Sequence, residues 1–501
     1  MPHDSARCPA GLRREPPVAT RSSGGEARSR RTLAVLLMGG FLTVFDLFVV
    51  DVAIPSLKAG LGATIGEAGF VIAGYELGFG VLLIAGARLG DRHGWRRVYS
   101  FGVLAFSATS LLCGVAPDAP FLIAARVLQG GAAATLFPQI YALLRALPDE
   151  TGRRRAFSLL GMTLGLAAIA GQVLGGLLVG ADLFGLGWRS AFLINPPLGL
   201  MVLILARPIP NLRSRTPEPV DWTGVALLAT GLFLLMAALL EGPGHHWPLW
   251  SLICFPAAAL LLCAFVGWEH RIVRRGGDPA IDPGLFHGAP FSAGITVVLL
   301  VYAAASSLFL GFALMVQNGF GLTPFAAGLL FAPASIGFVA ASAAAPGLRV
   351  RFGSAALVAG PLLYAAGIAG LIVTAFRLSH GSVTGVGVGD SGGCAMFLPP
   401  LILFGFGQGL SMTPLLNLVI GSADCRRAGM VAGIVSTAQQ LGGALGICVT
   451  SLFFAHVLAG PDTGPGAAGY AGAFGGAMLF NLAAVLAAAL LIRRMTKDRA
   501  S

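Results

Sequence analysis

Long apolar runs alternate with short polar breaks from end to end of this chain. The pattern predicts fourteen helices, at about 33–55, 68–88, 98–116, 120–145, 156–181, 190–206, 222–241, 250–268, 291–316, 325–347, 354–376, 396–421, 428–457 and 470–492. A run of about 20 apolar residues crosses the ~30 Å hydrocarbon core of a bilayer, so each is read as a membrane span. An even count places both termini on one side. The spans divide as six, two and six. A tail at 1–31 precedes an N-terminal six-helix bundle at 32–206, linkers and a two-helix insert occupy 207–290, a C-terminal six-helix bundle fills 291–492, and a tail closes the chain at 493–501. The fold class is all-α, integral to the membrane.

Charge placement tests this topology. Cytoplasmic connections of membrane proteins collect Lys and Arg. In the fourteen-span reading all but four of the 33 Lys and Arg fall on one side; Lys58, Arg189 and Arg377 lie opposite, and Arg126 lies inside a span. A miscounted helix would scramble that alternation. Both termini are therefore expected in the cytoplasm. The polar, Arg-rich stretch 1–31 has no apolar core and reads as a disordered tail rather than a signal peptide.

Composition removes the water-soluble classes. Charged residues make up 11% of the chain, hydrophobic residues 56%, and mean hydropathy is +0.81, whereas soluble domains carry about 25% charged residues. The net charge of +11 sits in loops and tails, which fits anchoring at the membrane surface and not a nucleic-acid partner. The seven cysteines are scattered, with no CxxC spacing, so no metal or disulfide framework is expected. Neither lysine follows a glycine, which leaves no Walker A loop for ATP. No catalytic constellation stands at a membrane face, and the chain is not read as an enzyme.

Charges inside the hydrocarbon are costly and point to function. Four residues qualify: Asp46 and Asp51 on the first span, Glu76 on the second and Arg126 on the fourth. At 1.5 Å rise per residue, Asp46 lies ~20 Å from the cytoplasmic end of its span, while Glu76 and Arg126 lie ~12 Å and ~9 Å below the outer surface. These three share one depth and form a candidate ion cluster for proton coupling; Asp51 lies nearer the outside. Polar residues that could face a cavity or join helices are Gln129, Gln172, Asn195, Gln317, Gln408, Asn417, Gln439 and Gln440. The fifth span carries Gly161, Gly165 and Gly171-Gln-Val-Leu-Gly-Gly176, small residues that let helices approach closely. The second half has no carboxylate within a span, which favours a neutral, weakly basic or amphiphilic substrate.

The connection Gly86-Ala-Arg-Leu-Gly-Asp-Arg-His-Gly-Trp-Arg-Arg97 packs four arginines and an aspartate between two apolar runs. Asp91, Arg92, Gly94, Arg96 and Arg97 are read as a latch controlling a conformational switch. Arg349-Val-Arg-Phe-Gly353, after the tenth span, echoes it with Val350 in place of the aspartate.

With these motifs together the chain resembles the major facilitator superfamily, and within it the fourteen-span drug:proton antiporter group of the EmrB/QacA type. The latch resembles that superfamily's loop between helices two and three, with Ala87 for the usual Gly and Trp95 for a usual Arg. Phe45-Asp-Leu-Phe-Val-Val-Asp-Val-Ala-Ile-Pro55 resembles the group's first-helix motif, with Asp51 where Asn is common. Arg126-Val-Leu-Gln-Gly130 resembles the fourth-helix motif, whose Arg is implicated in proton coupling. Gly171 to Gly176, including Gly175, resembles the fifth-helix antiporter motif, with Gln172 where Pro is usual. Trp188-Arg-Ser-Ala-Phe-Leu-Ile-Asn-Pro-Pro-Leu-Gly199, Gln317-Asn-Gly-Phe-Gly-Leu-Thr-Pro324 and Gln440-Leu-Gly-Gly-Ala-Leu-Gly446 extend the likeness over about 33–492. It implies alternating access between two bundles, with export of small lipophilic compounds powered by the proton gradient and no cofactor.

The expectation is a monomeric exporter in a bacterial cytoplasmic membrane, with small molecules, protons and lipid as its partners. Asp46, Glu76, Arg126 and Asp51 are the candidate proton-coupling residues. Gln129, Gly130, Gly171, Gln172, Gly175, Gly176, Asn195 and Gln317 are the antiporter-motif and cavity candidates. The rival readings are a proton-driven importer on the same fold and a non-transporting membrane sensor or scaffold.

Overall fold

A computed structural model describes residues 23–147, 149–214, 218–380, 391–420, 428–460 and 466–497. Fourteen helices in it are long and apolar enough to cross a membrane. In the first half these are α1 (Ser23–Leu61), α2 (Ile65–His93), α3 (Trp95–Gly114), α4 (Ala119–Arg145), α5 (Glu150–Ala181) and α6 (Gly187–Leu205). The insert is α7 (Trp222–Glu241) and α8 (Leu249–Arg274). The second half comprises α9 (Ala289–Leu314), α10 (Pro324–Phe352), α11 (Ser354–Ser379), α12 (Leu398–Ile420), α13 (Ala428–Leu458) and α14 (Ala467–Lys497).

Local chemistry starts these helices where the sequence breaks. Thr64 and Glu67 form a reciprocal capping box at the head of α2 (Glu67 N to Thr64 Oγ1 3.0 Å, Thr64 N to Glu67 Oε2 2.8 Å). Asp118 caps α4 through the Phe121 N–H at 2.8 Å, with Pro120 in the first turn, where its missing N–H costs nothing. Gly94, at φ +100°, makes the one-residue corner between α2 and α3. Several helices outrun their apolar stretches. α1 begins at Ser23, inside the segment expected as a disordered tail, and α5 and α10 carry Arg153 to Arg155 and Arg349 to Arg351 within their turns. Hydropathy marks only the part that crosses hydrocarbon, whereas backbone hydrogen bonding continues the helix into water. The remainder of that tail (1–22), most of the glycine-rich loop at 378–395 (381–390), and 498–501 lie outside the described residues.

One pairing scheme occurs twice. In the first half α1 packs on α5, α2 on α4, and α3 on α4 and α6; in the second, α9 packs on α13, α10 on α12, and α11 on α12 and α14. Two six-helix bundles related by repetition result. They meet along two seams, α2 against α13 and α5 against α10, which are equivalents under the repeat. The insert lies outside both bundles: α7 packs on α2 and α13, while α8 rests mainly on α7.

α6 is broken, for a chemical reason. Pro196 has no N–H to donate to the carbonyl of Phe192, four residues back. That carbonyl accepts instead from the Ser110 hydroxyl at 2.9 Å. The break fixes where Asn195 points, and the polar cluster described next depends on it.

Candidate functional site

Asp46 and Arg126 make a sealed ion pair in the first bundle. Both are 0% exposed, with Arg126 Nη1 2.6 Å from Asp46 Oδ2. Every lone pair in use has a named donor. Asp46 Oδ1 accepts from Asn195 Nδ2 at 2.6 Å and Gln129 Nε2 at 3.0 Å. Asn195 Nδ2 also donates to Ser110 Oγ at 3.0 Å, which closes the chain that began at Pro196. Arg126 donates further to Gln129 Oε1 at 2.8 Å and, through Nε, to the Val71 carbonyl at 3.0 Å, and its guanidinium lies 4.3 Å from the centre of the Tyr75 ring. Only Arg126 Nη2 and Asn195 Oδ1 in this cluster are buried without a partner. A buried pair with this many hydrogen bonds is held in one geometry.

Glu76 does not join that cluster. It shares the depth of Asp46 and Arg126, but its side chain turns across the molecular axis to the second bundle. Oε1 accepts from Ser306 Oγ of α9 at 3.0 Å. Its carboxylate also fills the space beside Gly443 of α13, where a Cβ would lie 2.5 Å from Oε2. Oε2 itself is buried without a hydrogen-bond partner. Asp51, 7% exposed, stands with Glu76 on the wall of the central cavity. The four intramembrane charges thus separate into a closed pair and two cavity carboxylates, with the ion pairs among the described residues leaving the latter two unpaired.

The cavity, about 2950 Å³ in volume, lies between the bundles and reaches the face that carries Asp91, Arg145, Arg153 and Arg213. Aromatic rings meet along part of its wall: Phe48 meets Phe309 edge to face at 5.1 Å, and Phe309 lies 4.8 Å from Phe331. Gln408, Gln439 and Gln440 line it on the second-bundle side, and Gln439 donates to the Tyr302 hydroxyl at 2.5 Å. The side chain of Asn417 lies outside the described residues. The opposite end is closed by helix contacts between bundles. A single π turn at Met315–Gly319 ends α9 and aims Gln317 Nε2 at the Val52 carbonyl, 3.0 Å away. Gly176 packs on the backbone of Pro324 and Phe325.

The glycines of α5 serve two neighbours. Gly171 and Gly175 admit Phe45, Phe48 and Val49 of α1, whereas Gly176 faces α10. Gln172 also faces α10, where Oε1 accepts from Ser335 Oγ at 2.8 Å and its backbone sits against Gly328. Gly130 of α4 faces the Tyr75 carbonyl of α2 with no room for a Cβ.

The expected latch residues bind the connectors of their own half. Asp91 Oδ1 accepts from the Trp95 indole at 2.8 Å, and its carbonyl from Ser214 N at 3.2 Å. Trp95, standing where an Arg is usual, thus supplies a side-chain donor to Asp91. Gly94 packs on Asn211, and Arg96 Nη1 donates to the carbonyls of Arg207 and Ile209, both at 3.3 Å. Arg92 and Arg97 are exposed. The sequence reading passed over Arg88, whose guanidinium is nearly buried. Its Nη1 donates to the Pro219 carbonyl at 2.9 Å and its Nη2 to the Pro279 carbonyl at 2.5 Å, with Glu218 Oε2 at 3.2 Å. Ser306 and Ser110 were also missed, since a serine within an apolar run carries no distinguishing signal.

Comparisons with known proteins agree with this architecture. Over 94% of this chain and 97% of the other, the fold matches an inward-facing, occupied bacterial homologue of the human lysosomal transporter Spinster (TM-score 0.64, 14% identity). It likewise matches a structure described for substrate recognition in proton-dependent oligopeptide transporters, over 94% and 100% (TM-score 0.65, 16% identity). Among sequences, the "Probable actinorhodin transporter" of Streptomyces coelicolor is 35% identical over 87% of this chain and 74% of its own length. The drug efflux pump JefA of Mycobacterium tuberculosis is 34% identical over 84% and 79%. The tetracenomycin C resistance and export protein of Streptomyces glaucescens is 30% identical over 87% and 78%. The family model described as Major Facilitator Superfamily matches residues 36–447. The chain belongs to the Major Facilitator Superfamily, and its fourteen membrane helices place it in the fourteen-span group.

Proposed function

We propose that this protein exports small lipophilic or amphiphilic compounds from a bacterial cell by proton-driven alternating access, acting as a monomer in the cytoplasmic membrane without a cofactor. The reading rests chiefly on Glu76 and Asp51, two carboxylates without an ion-pair partner on the wall of a large cavity between two repeated bundles. The relatives named for drug export and resistance support it. In this reading the basic face is cytoplasmic, both termini lie there, and the open cavity is the state that takes up cargo.

Division of labour follows from the geometry. Glu76 touches Ser306 and the Gly443 position of the other bundle, so a proton there changes a contact that must break when the bundles rock. Asp51 shares the cavity wall and exchanges protons with the same space. The Asp46–Arg126 pair, sealed and bonded to four helices, holds α1, α2, α4 and α6 together and fixes the field at the carboxylates. Asp91, Arg92, Gly94, Arg96 and Arg97 set the equilibrium between open and closed forms without touching cargo.

Proteoliposomes loaded with a fluorescent dye provide the test. Wild-type protein should deplete the dye against its gradient, and a protonophore should stop it. Glu76→Gln should lose uphill export while still equilibrating dye down its gradient. Uphill, protonophore-sensitive export that survives in both Glu76→Gln and Asp51→Asn would remove the proton from the cavity carboxylates. Accumulation in place of depletion would favour the importer.

A further inference from the structure

Where the insert meets its connectors, on the basic face, two carboxylates stand side by side. Asp221 caps α7, its Oδ1 accepting from Gly224 N at 3.0 Å. Trp268 of α8 donates its indole N–H to the same carboxylate, 3.0 and 3.2 Å from the two oxygens. Glu269, the next residue along α8, is 1% exposed. Its Oε2 accepts from Ala280 N at 3.0 Å, while Oε1 is buried without a partner. A Cβ built on Gly224 would lie 2.2 Å from Asp221 Oδ2 and 3.0 Å from Glu269 Oε1, so these two oxygens are no more than about 5 Å apart. Gly277 to Ala280 line the mouth of the central cavity, whereas Asp221 and Glu269 do not. Glu269 thus holds that wall from outside the cavity.

The two carboxyls are unequally provided. Asp221 has a backbone N–H at a helix N-terminus and an indole N–H, and both favour its charged form. Glu269 has one donor and one bare oxygen. Arg88 of α2 is the cation on the far side of the connector, and its own carboxylate partner is Glu218, at 3.2 Å; its N–H groups also serve the carbonyls of Pro219 and Pro279. Among the described residues no ion pair reaches Asp221 or Glu269. An ionised Glu269 would set a second negative charge against Asp221 and keep it in a dry site. Those two costs outweigh the strengthening of a single hydrogen bond from Ala280. A proton on Oε1 removes both.

We infer that Asp221 and Glu269 form a proton-binding site outside the transport path, with the proton on Glu269, and that its occupancy fixes the wall of the cavity mouth to the insert. The hold is complete at acid pH. It is lost as pH rises and Glu269 ionises, because the charged carboxylate is driven out to water and Ala280 N loses its acceptor. The shape of the mouth then follows the pH of the compartment it opens to. From the export reading the inference borrows only that this compartment is the cytoplasm.

Amide hydrogen exchange of the full chain in nanodiscs tests the site without transport. In the wild type, protection at 277–281, taken relative to the intrinsic rate at each pH, should fall several-fold between about pH 5 and about pH 9, the range over which buried carboxylates ionise. Glu269→Gln copies the protonated form in shape and charge, so its protection should stay high throughout. Asp221→Asn removes the repulsion, and the fall should shrink. Protection that does not change with pH in the wild type would overturn the site, as would a fall of full size in Glu269→Gln. An undiminished fall in Asp221→Asn would overturn the pairing, and it gives that answer even where Glu269→Gln does not fold. No cargo is present, so a failure of the export reading leaves these outcomes as they are.

Discussion

At the scale of residues, Asp46 and Arg126 stabilise each other only as a pair. Removing one partner leaves an uncompensated charge in a dry site, which costs about 3–5 kcal/mol. Arg126→Ala should therefore lower the melting temperature of the detergent-purified protein more than Asp46→Leu/Arg126→Leu, in which neither charge remains. Arg126→Lys should also fall short of wild type in melting and in export. A lysine cannot donate at once to Asp46, Gln129 and the Val71 carbonyl while lying flat on Tyr75. All four intramembrane charges were legible in the sequence, because a charge in an apolar run is conspicuous. Their grouping was not. α2 is apolar around its whole circumference, so periodicity does not reveal how it is rotated, and nothing in the spacing says that Glu76 faces α9 while Arg126 faces α1.

Helices in a bilayer gain little from burying apolar surface against one another, since lipid is equally apolar. Close packing decides instead, and glycines set it. At Gly130 an added methyl group would run into the Tyr75 carbonyl and push α4 from α2. Gly130→Ala should cost about 1–3 kcal/mol of stability, as overpacking does, and should slow export by shifting the ring that supports Arg126; thermal unfolding and dye export read the two effects separately. Gly161→Ala, in open space, should leave melting unchanged. In a chain of 71 glycines the sequence does not separate these two kinds of position. The motif at 171–176 was recognisable as a pattern, but its division between α1 and α10 required the structure. The helix count was legible because apolar length and charge alternation are independent signals that agree.

On the scale of the molecule, Arg88 fastens together the two connectors that lead into and out of the insert. Arg88→Ala should free both connectors while leaving the bundles intact. Hydrogen exchange should accelerate at 218–222 and 275–282, with little change in α4 or α12. That fastening was hidden in the sequence, where Arg88 is one arginine among four in the same loop and its partners are backbone carbonyls more than a hundred residues away.

The geometry at Arg88 also bears on how a chain of this length is assembled. One guanidinium reaches the carbonyls of both Pro219 and Pro279, at 2.9 and 2.5 Å, so the strand leaving the first bundle and the strand returning to the second pass within about 8 Å of each other. Three residues span about 10 Å when extended. The fifty-odd residues between are thus a closed excursion whose removal and replacement by a three-residue bridge leaves the remaining ends already neighbours. Twelve helices and fourteen become two lengths of one machine, differing in whether a detachable side wall has been spliced in.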